Sequence, residues 1–277
     1  MVDYSSKLAI GTAQWGSNYG VTNKSGRLGD AVISTLLDSM RANAIVHLDT
    51  AASYGDAQSR IGNLDTTGIH IQTKLSAKNR TCEELRAQLH DSLTELKTES
   101  VNSLLIHDWF ALDQNEIDSV SQFFELSMNE GLTHHVGISA YNLSDLDRAR
   151  DNLIVWDTAQ IPINALDQRF VNAYELFPGI AFQARSIFLQ GLLLASNPDH
   201  VDVIRFHKFS HSLGVDPLTL SLQFIKEQSW LNSVIIAPTS LDEFDQILNA
   251  ANSHLPDLDF YSCVSFDAEL LDPRAWN

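Results

Sequence analysis

The chain has 277 residues, 44% hydrophobic and 19% charged, the balance of an ordinary globular protein with one sizeable core. No run of 18 apolar residues occurs, which argues against a membrane span. With 35 acidic residues against 18 Lys and Arg the formal net charge is −17; this repels nucleic acid and anionic membranes, both of which need a basic footprint.

Taken in chain order, eight short apolar runs read as strands: residues 8–11, 44–49, 69–74, 101–107, 136–139, 155–161, 184–188 and 233–237. Helical spacing predicts helices between them. Residues 81–97 open on the capping pattern Thr81-Cys82-Glu83-Glu84 and carry Leu85, Leu89, Leu93 and Leu96 on one face. Residues 113–130 repeat Ile117, Val120, Phe124 and Met128, residues 144–150 form a shorter helix, and 198–212 and 216–229 fill the longest gap. Strand and helix alternate at intervals suited to parallel crossovers, with no linker or second composition regime. The expected fold is α/β, a (β/α)8 TIM barrel in which residues 1–277 form a single domain. An open doubly wound sheet is the alternative, disfavoured because no G-x-G-x-x-G follows the first run.

Three of these runs lead directly into chemistry. The second ends at Asp49 with Tyr54 shortly after it, the third at Lys74 and the fourth at His107. The carboxyl ends of parallel barrel strands share one rim, so these four side chains are expected to meet. A nearby ammonium lowers the pKa of a phenol, normally about 10. Lys74, held by Asp49, is therefore expected to acidify Tyr54. A polarised phenol suits protonation of an oxygen that gains negative charge, and a neutral His107 would orient that oxygen. These parts fit reduction of a carbonyl group. Trp15, Tyr19, Trp109, Phe110 and Tyr141 follow strands on the same rim, and Trp15, Tyr19, Trp109 and Tyr141 are the candidate substrate-pocket residues.

The ordered set Gly11-Thr12-Ala13, 47–55 (His-Leu-Asp-Thr-Ala-Ala-Ser-Tyr-Gly), 72–74 (Gln-Thr-Lys), 105–107 (Leu-Ile-His), 137–139 (Gly-Ile-Ser), 159–160 (Ala-Gln) and 185–193 resembles the aldo-keto reductases over essentially the whole chain. The resemblance implies NAD(P)H-dependent reduction of an aldehyde or ketone on a small molecule, sugar-like substrates among the candidates. Tyr54 would be the proton donor, Lys74 its activator, Asp49 the partner of Lys74, and His107 the group that orients the carbonyl. It also implies cofactor contacts at Gly11, Thr12, Ser139, Gln160, Arg185, Ser186, Phe188, Gln190, Gly191, Leu192, Ser240, Glu243 and Gln246, with Ser139 and Gln160 at the nicotinamide carboxamide. Members with large specificity loops differ from this chain, whose short segment after the eighth run suggests an open, polar pocket.

Three positions depart from the family pattern. Ala140 stands where an Asn often follows the serine. Arg185 stands where an aromatic residue often stacks, and its guanidinium is expected either to stack in its place or to bind an anionic substrate group. Residues 237–246 carry no basic side chain and place Glu243 or Asp245 where an arginine meets the 2′-phosphate of NADP. A carboxylate repels phosphate but accepts a ribose hydroxyl, so NAD(H) is the expected cofactor.

Other features read more simply. Cys82 and Cys263 lie far apart in no metal spacing, and residues 1–7 show no basic-then-apolar signal, so a reducing cytoplasm is expected. His134 and His135 are adjacent on a strand and point apart, and His207 and His211 share a helix face without a further ligand; no metal is expected. Two rival classes are a lyase using Lys74 as a Schiff base and a regulatory protein that binds nicotinamide without turnover.

Overall fold

The computed structural model describes residues 4–276, except 22, 24 and 25. Eight parallel strands close into a barrel in sequence order: β1 Leu8–Gly11, β2 His47–Asp49, β3 His70–Leu75, β4 Val101–Ile106, β5 Thr133–Ser139, β6 Thr158–Pro162, β7 Ala181–Arg185 and β8 Ser233–Ile236. All eight expected strands exist, and helices alternate with them. No described helix is long and apolar enough to cross a membrane.

Local chemistry explains the helices. Thr81 caps helix Cys82–Leu96 by accepting from the Glu84 N–H at 3.3 Å, while Glu84 accepts from the Thr81 N–H at 2.7 Å. Such a box is worth about 1 kcal/mol. Leu85, Leu89, Leu93 and Leu96 are buried as their spacing requires. Asp113 and Glu116 form a second box at the start of helix Gln114–Asn129.

Several strand boundaries differ from the sequence pattern, among them those of β2, β6 and β7. β2 starts later because Ala44 takes a left-handed φ of 55°, which an extended strand excludes. β6 starts at Thr158, just after Asp157, whose carboxylate accepts from the Val136 N–H and from the Thr158 hydroxyl. β7 ends at Arg185 because Ser186 has φ 56°. The apolar run beyond it, including buried Ile187, packs beneath a turn and forms no further ladder.

Register places chemistry on the rim. Asp49 of β2 lies opposite Gln72 of β3, and Gln160 of β6 is flanked by Ser139 of β5 and Gln183 of β7. Gly137 permits the close β5–β6 approach, since a Cβ there would overlap the Thr158 carbonyl oxygen. Among the described residues no cluster of three potential metal ligands occurs. His135 instead bonds Asp157 at 2.8 Å, and His207 bonds the Leu193 carbonyl at 2.9 Å.

Candidate active site

Inside the barrel, Lys74 and Asp49 form a buried ion pair. Both carboxylate oxygens lie 2.6 Å from Nζ, and Nζ also donates to the Thr50 carbonyl at 3.1 Å. Lys74 is only 1% exposed. Burial lowers its pKa while the Asp49 carboxylate pulls the other way. Such a charge is tolerated in the interior because it is paired and hydrogen-bonded.

A layer of amides lies beneath the pair. Gln72 and Gln160 donate to Asp49 Oδ1 at 2.6 and 3.0 Å. Gln183 accepts from Gln72 at 2.7 Å and from Gln160 at 3.2 Å, and donates back to Gln72 at 2.7 Å. The network fixes the carboxylate from below and leaves the ammonium facing the rim. Gln72 and Gln183 were not recognisable from sequence as site residues, though an amide inside an apolar strand was the available signal.

Tyr54 lies over the ammonium, with Nζ 5.2 Å from its ring centroid. Its loop is set by a close backbone approach: a Cβ on Gly16 would overlap the Tyr54 carbonyl oxygen. His107 meets Tyr54 edge-on, their ring centroids 5.8 Å apart at 84°. Ser53 Oγ is 3.2 Å from His107 Nδ1. Burial, aided by the positive charges of Lys74 and Arg185, pulls the imidazole pKa down to about 4, so His107 is neutral as expected.

The phenol corrects an expectation. Burial, followed by the Asp49 carboxylate, pushes the Tyr54 pKa up, not down. The physical reason is that the Lys74 charge is matched by both Asp49 oxygens, so little of it remains to stabilise a phenolate. Tyr54 thus stays protonated across the physiological range.

These side chains border an elongated cleft of roughly 610 Å³. Its wall includes Asp49, Tyr54, His107, Gly11, Tyr19, Tyr141, Gln160, Arg185, Ser186, Phe188, Gln190, Gly191, Glu243 and Gln246. Lys74 touches the site from beneath. Thr12, Ser139, Leu192 and Ser240 are not in the wall. Thr12 instead donates through its hydroxyl to the Asp49 carbonyl at 3.1 Å, and Ser240 caps helix Leu241–Asn252 by accepting from the Glu243 N–H at 3.1 Å.

Two substrate-pocket expectations are overturned. Trp15 and Trp109 are 1% and 0% exposed and belong to the core. The Trp109 indole donates to the Asp145 carbonyl at 2.9 Å, and Arg148 lies 5.1 Å over its ring. That partner holds the indole inward, away from the rim. Residues unseen in the sequence take part at the mouth: Arg274, in the turn Pro273–Ala275, lies 4.1 Å over Phe110 and 3.8 Å over Tyr141. The final segment therefore reaches the rim beside Tyr141, without lining the cleft itself.

The walls fit a nicotinamide dinucleotide. Ser186, Leu189, Gln190 and Gly191 have φ of 56°, 49°, 51° and 94°; the turn winds on itself, with the Leu189 N–H bonding the Ser186 carbonyl at 2.8 Å and the Gly191 N–H the Phe188 carbonyl at 2.9 Å, a concave backbone of the kind that cradles phosphate. The cleft continues from there to Glu243 and Gln246 at the other end.

The model of the Aldo/keto reductase family matches residues 7–268. A methylglyoxal reductase, DkgB, of Escherichia coli O157:H7 is 27% identical over 126 residues, a stretch covering 43% of this chain and 46% of that protein. The match thus spans about half the length of that relative. Two solved structures share the fold: the aldo-keto reductase AKR11C1 of Bacillus halodurans in its holo form, and the thermostable aldo-keto reductase Tm1743 in complex with the inhibitor epalrestat. The first has a TM-score of 0.74 and 15% identity, with 91% of this chain and 88% of that one covered. The second has a TM-score of 0.72 and 18% identity, with 91% of each chain covered. With the family model spanning nearly all of a closed barrel whose rim gathers Asp49, Tyr54, Lys74 and His107, the chain belongs to the aldo/keto reductase family.

Proposed function

We propose that this protein reduces the carbonyl group of a small molecule with a nicotinamide cofactor, NADH in preference to NADPH. One observation carries the reading: a protonated phenol and a neutral imidazole meet edge-on above a buried ammonium–carboxylate pair, in a cleft of roughly 610 Å³.

The cofactor supplies the hydride when bound. The protein's own part is to bind, orient and protonate. In the His107 tautomer that this chemistry uses, Ser53 Oγ, 3.2 Å away, donates to Nδ1 and Nε2 carries the N–H that directs the substrate oxygen. Tyr54 gives its hydroxyl proton to that oxygen as negative charge grows there. Fixed donors aimed at developing charge are the larger part of such catalysis. Ser139 and Gln160 are proposed for the carboxamide, and Ser186 to Leu192 for the pyrophosphate.

Support for NADH lies at the far end of the cleft. Between Lys226 and Arg274 the chain has no Lys or Arg. Glu243 lines the wall there, and its carboxylate accepts from the Thr239 N–H at 2.6 Å and from the Thr239 hydroxyl at 2.8 Å. A 2′-phosphate would meet a negative charge with no basic side chain from this segment to offset it.

A Schiff-base lyase is disfavoured by the same geometry. An amine held by two carboxylate oxygens and 1% exposed is a poor nucleophile. The test is a spectrophotometric screen of aldehydes and ketones with each nicotinamide. Oxidation of NADH by at least one carbonyl compound is expected. Absence of turnover across the screen would favour a sensor, and an adduct trapped by borohydride on Lys74 would favour the lyase.

A further inference from the structure

We propose that Arg185 is the receptor for a carboxylate on the substrate, so that the preferred substrates are aldehydes or ketones that are also acids. This inference rests on the reductase reading of the same cleft and names its substrate class.

The argument starts from charge. Two cationic side chains stand at the catalytic end of the cleft. The Lys74 charge is matched by Asp49. Arg185 has no carboxylate within ion-pair distance among the described residues. Its Nε is buried with no hydrogen-bond partner. Its remaining bonds are to neutral groups: NH2 donates to the Ala140 carbonyl at 3.0 Å, and NH1 reaches the Ser186 hydroxyl at 3.4 Å. An unmatched guanidinium in a partly buried wall is costly unless a ligand brings the anion. In a chain of net charge −17, carboxylates are plentiful, yet none is placed here. The neighbouring guanidinium shows the contrast. Arg185 and Arg274 both lie over the Tyr141 ring, at 4.3 and 3.8 Å. Arg274 is paired with Asp272 at 2.6 Å; Arg185 is left open to the cleft.

Geometry selects the substrate over the cofactor as the source of the anion. Arg185 starts on β7 but bonds the residue that follows β5, and so it reaches across β6. Its shorter hydrogen bond, to Ala140, and its ring contact with Tyr141 lie on the β5 side, with only the 3.4 Å contact to Ser186 toward the winding turn. The stack on Tyr141 and the bond to Ala140 hold the guanidinium plane, which suits two-pronged recognition of a carboxylate.

The test compares the full-length protein with Arg185→Met and Arg185→Lys on succinic semialdehyde and butanal, which differ chiefly in the carboxylate. The wild type is expected to favour the acid in kcat/KM. In Arg185→Met that preference falls by about 10- to 100-fold, the range of one charge-assisted hydrogen-bond pair, and Arg185→Lys restores part of it. The affinity for NADH, followed by nicotinamide fluorescence, separates the sources. If Arg185→Met weakens NADH and both aldehydes by one common factor, or leaves the preference unchanged, the guanidinium does not read the substrate and the proposal is overturned. If neither aldehyde oxidises NADH, binding of 4-hydroxybutyrate and 1-butanol to wild type and Arg185→Met still decides it. Tighter binding of the acid, lost in the variant, supports an anion receptor even though the reductase reading has failed. Equal binding overturns both.

Discussion

Asp49 turns both carboxylate oxygens to the Lys74 ammonium, 2.6 Å from each, and this pair organises everything above it. Breaking a buried pair from one side leaves an uncompensated charge, at about 3–5 kcal/mol. Asp49→Asn should therefore lower Tm by on the order of 10 °C in a domain of this size. Asp49→Asn combined with Lys74→Met should lose much less than the sum of the single changes. Thermal denaturation of the three variants checks this, and additive losses would show that the two groups are not coupled.

Gly16 holds the Tyr54 loop by contact at the backbone. Because a Cβ there would overlap the Tyr54 carbonyl, Gly16→Ala must move the phenol. A displacement of about 1 Å costs roughly 100-fold in turnover. Gly29→Ala is the control, since its added methyl meets open space. Steady-state kcat of the two variants should differ by about that factor.

The pH profile follows from two perturbed groups. His107 titrates at about 4, where the ordinary value is 6.5. Between these values the folded chain binds fewer protons than the unfolded one at this position. The His107 contribution to stability is therefore constant above about 6.5, and stability declines as pH falls from there to about 4. The imidazole stays neutral through that window, so kcat/KM should show no acid limb near 6.5. Tyr54, pushed above its usual value of 10, should give no basic limb below that pH. An acid limb near 6.5 would contradict the environment described for His107.

Glu243 sets cofactor choice in this account. Replacing it by Lys should raise kcat/KM for NADPH relative to NADH by roughly tenfold, since attraction then replaces repulsion. The Thr239 bonds are lost as well, so the ratio between cofactors, not the absolute rate, is the quantity to measure.

The barrel was legible because each strand is a short apolar run, and the rim because Asp49, Lys74 and His107 lie at or just beyond strand ends, with Tyr54 in the loop after one. What escaped depends on neighbours distant in sequence. β7 could not be separated from the buried turn after it, since Ile187 is as apolar as strand residues and only the φ of Ser186 marks the break. Trp15 and Trp109 follow strands just as pocket residues do; their inward packing is a tertiary choice. Arg274 lies far along the chain from Tyr141, and no local pattern announces their contact. The direction of the Tyr54 pKa escaped because its largest cause is burial, which only the packed fold reveals.

The central claim is that a hydride passes from NADH to a carbonyl carbon as Tyr54 delivers the proton. It is tested most directly with NADH deuterated at the transferring carbon and a carbonyl substrate from the screen, the product being read by mass spectrometry. One deuterium should appear on the carbinol carbon, and Tyr54→Phe should slow its appearance by about 10²- to 10⁴-fold while still binding NADH. Unlabelled product, or equal rates in the two proteins, would contradict the account.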